Sequence, residues 1–494
     1  MKNPFQGLGL KGRHGPNRLT LFIDGLHPVL QKLRDYLTIR NDSVGYKIKK
    51  AKDSIGFWET RKHQEESLGL DTEYSSRKLD AAREEIAALY EEYEQVFYED
   101  TEDGLVIPAG FWFVCDFMEG DIHLNKEVKP CHIDGSRDYQ VDAVNEALKH
   151  KRATVVLATG LGKSRVILNL TLSMVKVDKR VFIVVPTEYL VGQVYDTIKP
   201  HWDSITAVGG KRKHPKLGTD VFVCTAQSAL KHVSSYDVVI IDESHHSSAS
   251  TWLNIFMTAE KAEYCYNLTA TPFRADGMDL AIHAFGGPTV YEKNVRWGIE
   301  NGWLSPCKIY LATVQPMDKN GSPMMFGDST MATSAYKKMI TNKEVMSYLE
   351  TQVKRMLDAG KRVIVIFKTV QPGLVFRKHC KGKIDFNVAD SKFKKPLDDF
   401  RNGESNLLVS NSSLIAEGID LPSADVLFLL TQHGAPAMTY QAIGRVLRKS
   451  PGKEHAIIVD VMTPGYKQFE NAREKRLKVF QKITDDVIVI RGKK

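Results

Sequence analysis

Apolar residues fall into three textures along the chain. From residue 130 to about 300, short and nearly continuous runs alternate with helical stretches: ATVVLA, RVFIVVP, DVFVCT, DVVIIDE and YCYNLTA. Runs without polar alternation are buried on both faces, which marks a parallel sheet covered by helices. From about 305 to 494 the pattern returns in RVIVIF, NLLVS, VLFLLT and HAIIVDV. Residues 1 to about 125 differ. They carry two strand-like runs, LTLFIDG and GLVIPAGFWFV, and a long polar segment, SSRKLDAAREEIAALYEEYEQVFYED. There Leu79, Ala82, Ile86, Leu89, Tyr93 and Val96 recur at three-to-four spacing. That spacing predicts one helix with an apolar stripe and a solvated acidic face. The expected fold class is α/β: two tandem parallel-sheet domains behind a smaller α+β one, with limits at 1–128, 129–304 and 305–494. The Gly/Ser/Met-rich stretch near 316–334 reads as a loop. No short internal repeat is visible.

Composition narrows the class. The chain has 494 residues, 43% hydrophobic and 26% charged, as in globular proteins. A net charge of +8 permits a polyanionic partner without demanding one. The six cysteines form no Cys-x-x-Cys pair, so neither a disulfide scaffold nor a zinc site is expected. No apolar run has signal-peptide or membrane-spanning character. The expected location is cytoplasmic, in a bacterium or an infected host cell, and the expected state is a monomer.

Residues 157–164, LATGLGKS, join one apolar run to the next. Glycines in a strand-to-helix turn let backbone N–H groups converge on phosphate, and the following helix turns its positive end to the same anion. Lys163 supplies charge for the β- and γ-phosphates and Ser164 a hydroxyl for Mg²⁺. Taken alone, the turn fits a surface lysine equally well. DVVIIDESHH decides between them: Asp242 and Glu243 end an apolar run, where a nucleotide-bound Mg²⁺ lies in such sheets. Asp242 is expected to hold Mg²⁺ and Glu243 to orient and deprotonate the attacking water.

LATGLGKS, IDESH, LTATPFR (268–274) and QAIGRVLR (441–448) stand in the order seen in superfamily II helicases of the DExH type, and the chain resembles that family over roughly 135–460. The resemblance implies two RecA-like motor domains with ATP, Mg²⁺ and nucleic acid as partners. It implies nucleotide contacts from Thr159, Gly160, Gly162, Lys163 and Ser164, and adenine contacts from Arg137 and Gln140 of RDYQ. It implies that Gly418 and Asp420 approach the ribose and that Arg445 and Arg448 act as arginine fingers in cis. Gln441 is implied to be linked to the ATP site by His245, while Thr269 and Thr271 form a relay between hydrolysis and strand contacts. Thr187, Gly209, Gly210, Thr225, Ser410 and Ser413 are implied to hold DNA phosphates, which position a strand without reading its sequence. GKRKHPK (210–216) adds basic charge beside that track.

Within the superfamily, GIENGWLSPCKIYL (298–311) and AEGIDLP are similar to UvsW-type phage helicases, XPB-like helicases and restriction-type translocases. The size and layout look most like the UvsW type. An ATP-dependent DNA helicase or translocase that remodels forks and Holliday junctions in recombination, repair or replication is the leading expectation. The alternatives are a duplex translocase motor of a restriction-type system, an RNA helicase of the same superfamily, and a nucleotide-gated clamp. The complete hydrolytic set argues against the last. The segment 104–117 is expected to be a strand packed on the motor rather than part of a junction-engaging surface.

Overall fold

The structure, a computed structural model, describes residues 127–209, 218–243, 261–270, 286–327, 330–390, 392–412 and 424–490. It also describes segments within 11–118, residue 125 and scattered positions over 251–284. In the N-terminal part, strands Glu99–Thr101, Gly104–Pro108, Arg18–Phe22, Lys11–His14 and Phe117–Met118 form one sheet in that order. Leu105 and Ile107 are buried there, in a strand that pairs within this N-terminal sheet. Helices Asp42–Ser67 and Glu73–Tyr93 pack on each other as a hairpin. The predicted apolar stripe begins as expected, with Leu79 and Ala82 buried. The helix stops at Tyr93, however. Val96 belongs to strand Glu94–Val96, which pairs with Thr38–Arg40 and closes the hairpin's base.

The first parallel sheet comprises β1 (Arg152–Leu157), β2 (Val181–Val185), β3 (Ile205–Val208), β4 (Val221–Thr225), β5 (Val238–Asp242), β6 (Tyr264–Thr269) and β7 (Thr289–Lys293). Around it lie α1 (Asp138–Ala147), α2 (Lys163–Val175), α3 (Glu188–Ile198), α4 (Ala226–Ala229) and α5 (Val295–Glu300). The second comprises β8 (Cys307–Thr313), β9 (Val363–Phe367), β10 (Val388–Ala389), β11 (Leu407–Asn411), β12 (Val426–Leu430), β13 (Ala456–Met462) and β14 (Val487–Ile490). It carries α6 (Ala332–Ile340), α7 (Lys343–Asp358), α8 (Val370–His379), α9 (Lys395–Asn402), α10 (Pro436–Val446) and α11 (Lys467–Ile483).

Every pairing in both sheets is parallel. The first runs β3-β4-β2-β5-β6-β1-β7 and the second β10-β11-β9-β12-β13-β8-β14. Counted within each sheet, the two orders are the same. The chain thus repeats one fold without repeating its sequence: two tandem RecA-like domains. The apolar runs β2, β5, β9 and β12 sit mid-sheet and are fully buried, because helices cover both faces. The expected loop near 316–334 is irregular through 327, with a turn in which Asp318 Oδ1 accepts from the N–H groups of Asn320 and Ser322, and then enters α6. No helix among the described residues is long and apolar enough to cross a membrane.

Candidate nucleotide and nucleic-acid site

β1 delivers the loop 158–162 to the top of the first sheet, and α2 starts directly behind it. Gly160 and Gly162 have φ of +93° and +79°, the left-handed region that favours glycine. A Cβ at Gly162 would also lie 2.4 Å from Gln140 Nε2. The Gln140 amide holds the loop. Its Nε2 donates to the Leu161 carbonyl at 2.9 Å, and its Oε1 accepts from the Arg137 N–H at 3.0 Å. Tyr139, between them, donates its hydroxyl to the same Leu161 carbonyl and accepts from Arg137 Nη1, both at 2.8 Å. Arg137 lies over the Trp303 ring, 4.9 Å from its centroid. An open cleft of about 450 Å³ is lined by Arg137, Gln140, Gly160, Gly162, Ser164 and His201. The predicted base-reading pair therefore flanks the phosphate loop, although Gln140 already bonds the protein at both ends of its amide, its Nε2 donating also to the Gly162 carbonyl at 3.4 Å. Tyr139 was not singled out from the sequence; its place inside RDYQ was the available signal.

β5 ends at Asp242, and Glu243 follows with φ +51°, strained for a residue with a side chain. Its backbone N–H donates to the Leu268 carbonyl at 2.9 Å. Lys163 Nζ meets Glu243 Oε1 at 2.8 Å, with both side chains largely buried. Asp242 is buried, and its Oδ1 has no hydrogen-bond partner. Burial, followed by the adjacent Glu243 carboxylate, pushes its carboxyl up to about 7, while Lys163 and Arg445 pull it back. An orphaned carboxylate oxygen suits a hard divalent cation, which takes oxygen ligands, and the Ser164 hydroxyl lining the cleft is of the same kind. Asp242 and Ser164 thus fit Mg²⁺. Thr269 is buried at the end of β6, and the next N–H, of Ala270, donates to Glu243 Oε2 at 3.4 Å.

The second sheet completes the site. α10 presents Gln441 and Arg445, both buried, and Arg448 follows its C-terminus. The helix packs on the phosphate loop so closely that a Cβ on Gly444 would lie 2.4 Å from Thr159 Cβ. A Cβ on Gly160 would meet Leu304 Cδ2 at 2.9 Å and Arg448 Cγ at 3.8 Å. Leu161, Leu304, Ile443, Val446 and Leu447 share one apolar core. Five residues expected at the ATP site from far-separated motifs, Lys163, Asp242, Glu243, Arg445 and Arg448, thus come together between the sheets, while Gln441 lines a small pocket of the second motor with Ser412, His433 and Arg476.

The expected phosphate-tracking residues are less uniform. Thr187 caps α3, accepting from the Leu190 N–H at 3.4 Å. Thr225 ends β4 and is buried, with Oγ1 3.5 Å from Ser228 Oγ. Gly209 directly follows β3. Ser410 departs from expectation. It lies 1% exposed inside β11 and donates to the Ala389 carbonyl at 3.3 Å, so its hydroxyl serves the sheet rather than the surface. Gly210, His245, Thr271, Ser413, Gly418 and Asp420 lie outside the described residues.

Two families match the chain: "Type III restriction enzyme, res subunit" over residues 135–274 and "Helicase conserved C-terminal domain" over 343–450. The DNA 3'-5' translocase XPB2 of Sulfurisphaera tokodaii is 25% identical over 379 residues, 69% of this chain and 84% of that protein. A subunit of the type I restriction enzyme EcoAI of Escherichia coli is 25% identical over 403 residues, and the chain spans about half (49%) of its length. The crystal structure of T4 UvsW aligns over 97% of this chain and 98% of that one, at 15% identity and a TM-score of 0.42.

Proposed function

Since the chain belongs to the superfamily II helicases, an ATP-dependent class that acts on nucleic acid, we propose that it is a DNA-stimulated ATP hydrolase that remodels forks and four-way junctions. The observation that carries the reading is the cleft. Lys163, Asp242 and Glu243 face Arg445 and Arg448 across it, so hydrolysis needs both sheets. Lys163 exchanges its Glu243 partner for the β- and γ-phosphates of ATP, which frees the Glu243 carboxylate to take a proton from the attacking water. Arg445 and Arg448 stabilise charge on the departing phosphoryl group. Asp242 and Ser164 are the side chains for Mg²⁺, which when bound neutralises phosphate charge. Arg137 and Gln140 border the base. Nucleotide between the sheets holds them closed and product release lets them part, so phosphate grips on either side alternate along a strand. Residues 1–128 are proposed as the accessory domain, with motor domains at 129–304 and 305–494.

A second reading has its own support, the match of the first motor to restriction-enzyme subunits: a duplex translocase working beside partner chains. One assay separates them. ATP hydrolysis and strand release are followed on single-stranded DNA, blunt duplex, fork and four-way junction, with Lys163→Ala as control. Remodelling predicts forks and junctions resolved far faster than duplex, and no activity in the variant. Hydrolysis driven by blunt duplex with no strand released supports the translocase and overturns the remodelling reading.

A further inference from the structure

Away from the nucleotide cleft, the second motor carries an open groove of about 960 Å³ between α11 and the turn that enters α10. Lys368, Lys475, Lys478 and Lys482 line it, and no carboxylate does. Lys475, Lys478 and Lys482 are exposed and recur at helical spacing, so they form a row on one face of α11. At about 1.5 Å of rise per residue the row is about 10 Å long. A strand of B-DNA presents one phosphate per roughly 3.4 Å of axis, so three lysines match about three phosphates. None of the residues expected to track the strand, such as Thr187, Thr225 and Ser410, lines this groove.

The groove is tied to catalysis by α10. Gly434, just before that helix, packs on α11 so closely that a Cβ there would lie 2.9 Å from Lys475 Cδ. Tyr440, on α10, lines the groove too. One residue further, Gln441 begins the stretch whose Gly444 packs on Thr159. A polyanion seated in the groove therefore touches the same helix that closes the ATP site.

We infer that the lysine row of α11 is a second binding site for a nucleic-acid phosphate backbone, apart from the tracked strand, and that its occupancy favours the seating of α10 on the phosphate loop. The inference rests on the function proposed above. An acidic protein partner is the competing occupant, less favoured because evenly spaced point charges in an open groove suit a regular polyanion.

The test uses the full chain and a triple variant, Lys475→Gln/Lys478→Gln/Lys482→Gln, which keeps most of each side-chain stem. Binding to a blunt duplex and to a four-way junction is titrated against salt. Each lysine–phosphate contact on duplex contributes about 0.9 to the slope of log K against log salt. The expected result is a slope shallower by about 2–3, an affinity at least 10-fold weaker at low salt, and DNA-stimulated hydrolysis reduced 10-fold or more with DNA-free hydrolysis unchanged. A control triple at the far edge, Lys354→Gln/Lys378→Gln/Lys381→Gln, should leave the slope in place. An unchanged slope in the α11 variant, or an equal loss in the control, overturns the inference while the motor reading stands. A wild-type chain that binds no nucleic acid overturns both.

Discussion

Gly162 shapes the phosphate loop against Gln140, and Gly444 sets how closely the second motor approaches that loop. Gly162 combines φ of +79° with a Gln140 contact that leaves no room for a Cβ. Alanine there costs about 1–2 kcal/mol from the backbone alone and opens the phosphate loop. Gly444→Ala tests the approach from the other side. Its new methyl would strike Thr159, a clash between sheets, so each sheet should fold while α10 is pushed off the loop. Hydrolysis should fall at least 10-fold with a small change in Tm; unchanged kcat would show that α10 need not seat on Thr159. His433 makes a pH prediction. Burial, helped by the Arg476 and Lys368 cations and opposed by Asp460, pushes its imidazole down to about 4. The unfolded chain, with an ordinary pKa near 6.5, then binds the extra proton between pH 4 and 6.5. Stability is lost as pH falls through that window, by up to about 3 kcal/mol. Urea midpoints at pH 7 and pH 5 should converge in His433→Gln; parallel losses in both proteins would place the effect elsewhere.

Among elements, α10 does the most with the least sequence, and Lys453 fixes its end. That ammonium donates to the Ala424, Val446 and Arg448 carbonyls, bridging the C-terminus of α10 to the entry of β12. Lys453→Met keeps the stem and strands three acceptors, each costing about 1–3 kcal/mol where buried. A lower Tm and a reduced kcat are expected together, and a fall in Tm with full kcat would deny α10 its positioning by Lys453. The elements that were legible in the sequence share a cause. β2, β9 and β12 are unbroken apolar runs because both faces are covered, and LATGLGKS announces its own turn. Helix Asp42–Ser67 was missed although Ile48 and Ala51 are buried, because Gly45 and Gly56 interrupt it and basic residues crowd its apolar stripe. The end of Glu73–Tyr93 was overrun because Val96 keeps helical spacing with Tyr93 while pairing instead with Thr38. Ser410 shows a finer limit. Its motif was visible, but which face of β11 its hydroxyl takes depends on register with β10.

At the scale of the whole molecule, one strand order used twice places the ends of β1 and β5 opposite α10, and that opposition is the site. No local pattern in the sequence encodes it; motif order along the chain did, through resemblance. Further contacts span the two motors. Arg401 Nη2 donates to Tyr189 Oη at 2.8 Å, and Arg296 grips Asp485 at 2.9 Å while donating to the Gln481 carbonyl. These side chains are partly exposed, so the contacts cost little to break, which suits the opening of the cleft proposed above. The claim that the cleft is a single hydrolytic site shared by two sheets is tested most directly by DNA-stimulated ATP hydrolysis in Arg445→Ala, with nucleotide affinity measured alongside. Hydrolysis should slow by about 10³-fold or more with ATP still bound, the loss expected for an arginine acting on the transferring phosphoryl group. Hydrolysis within a few fold of wild type would show that the first sheet works alone.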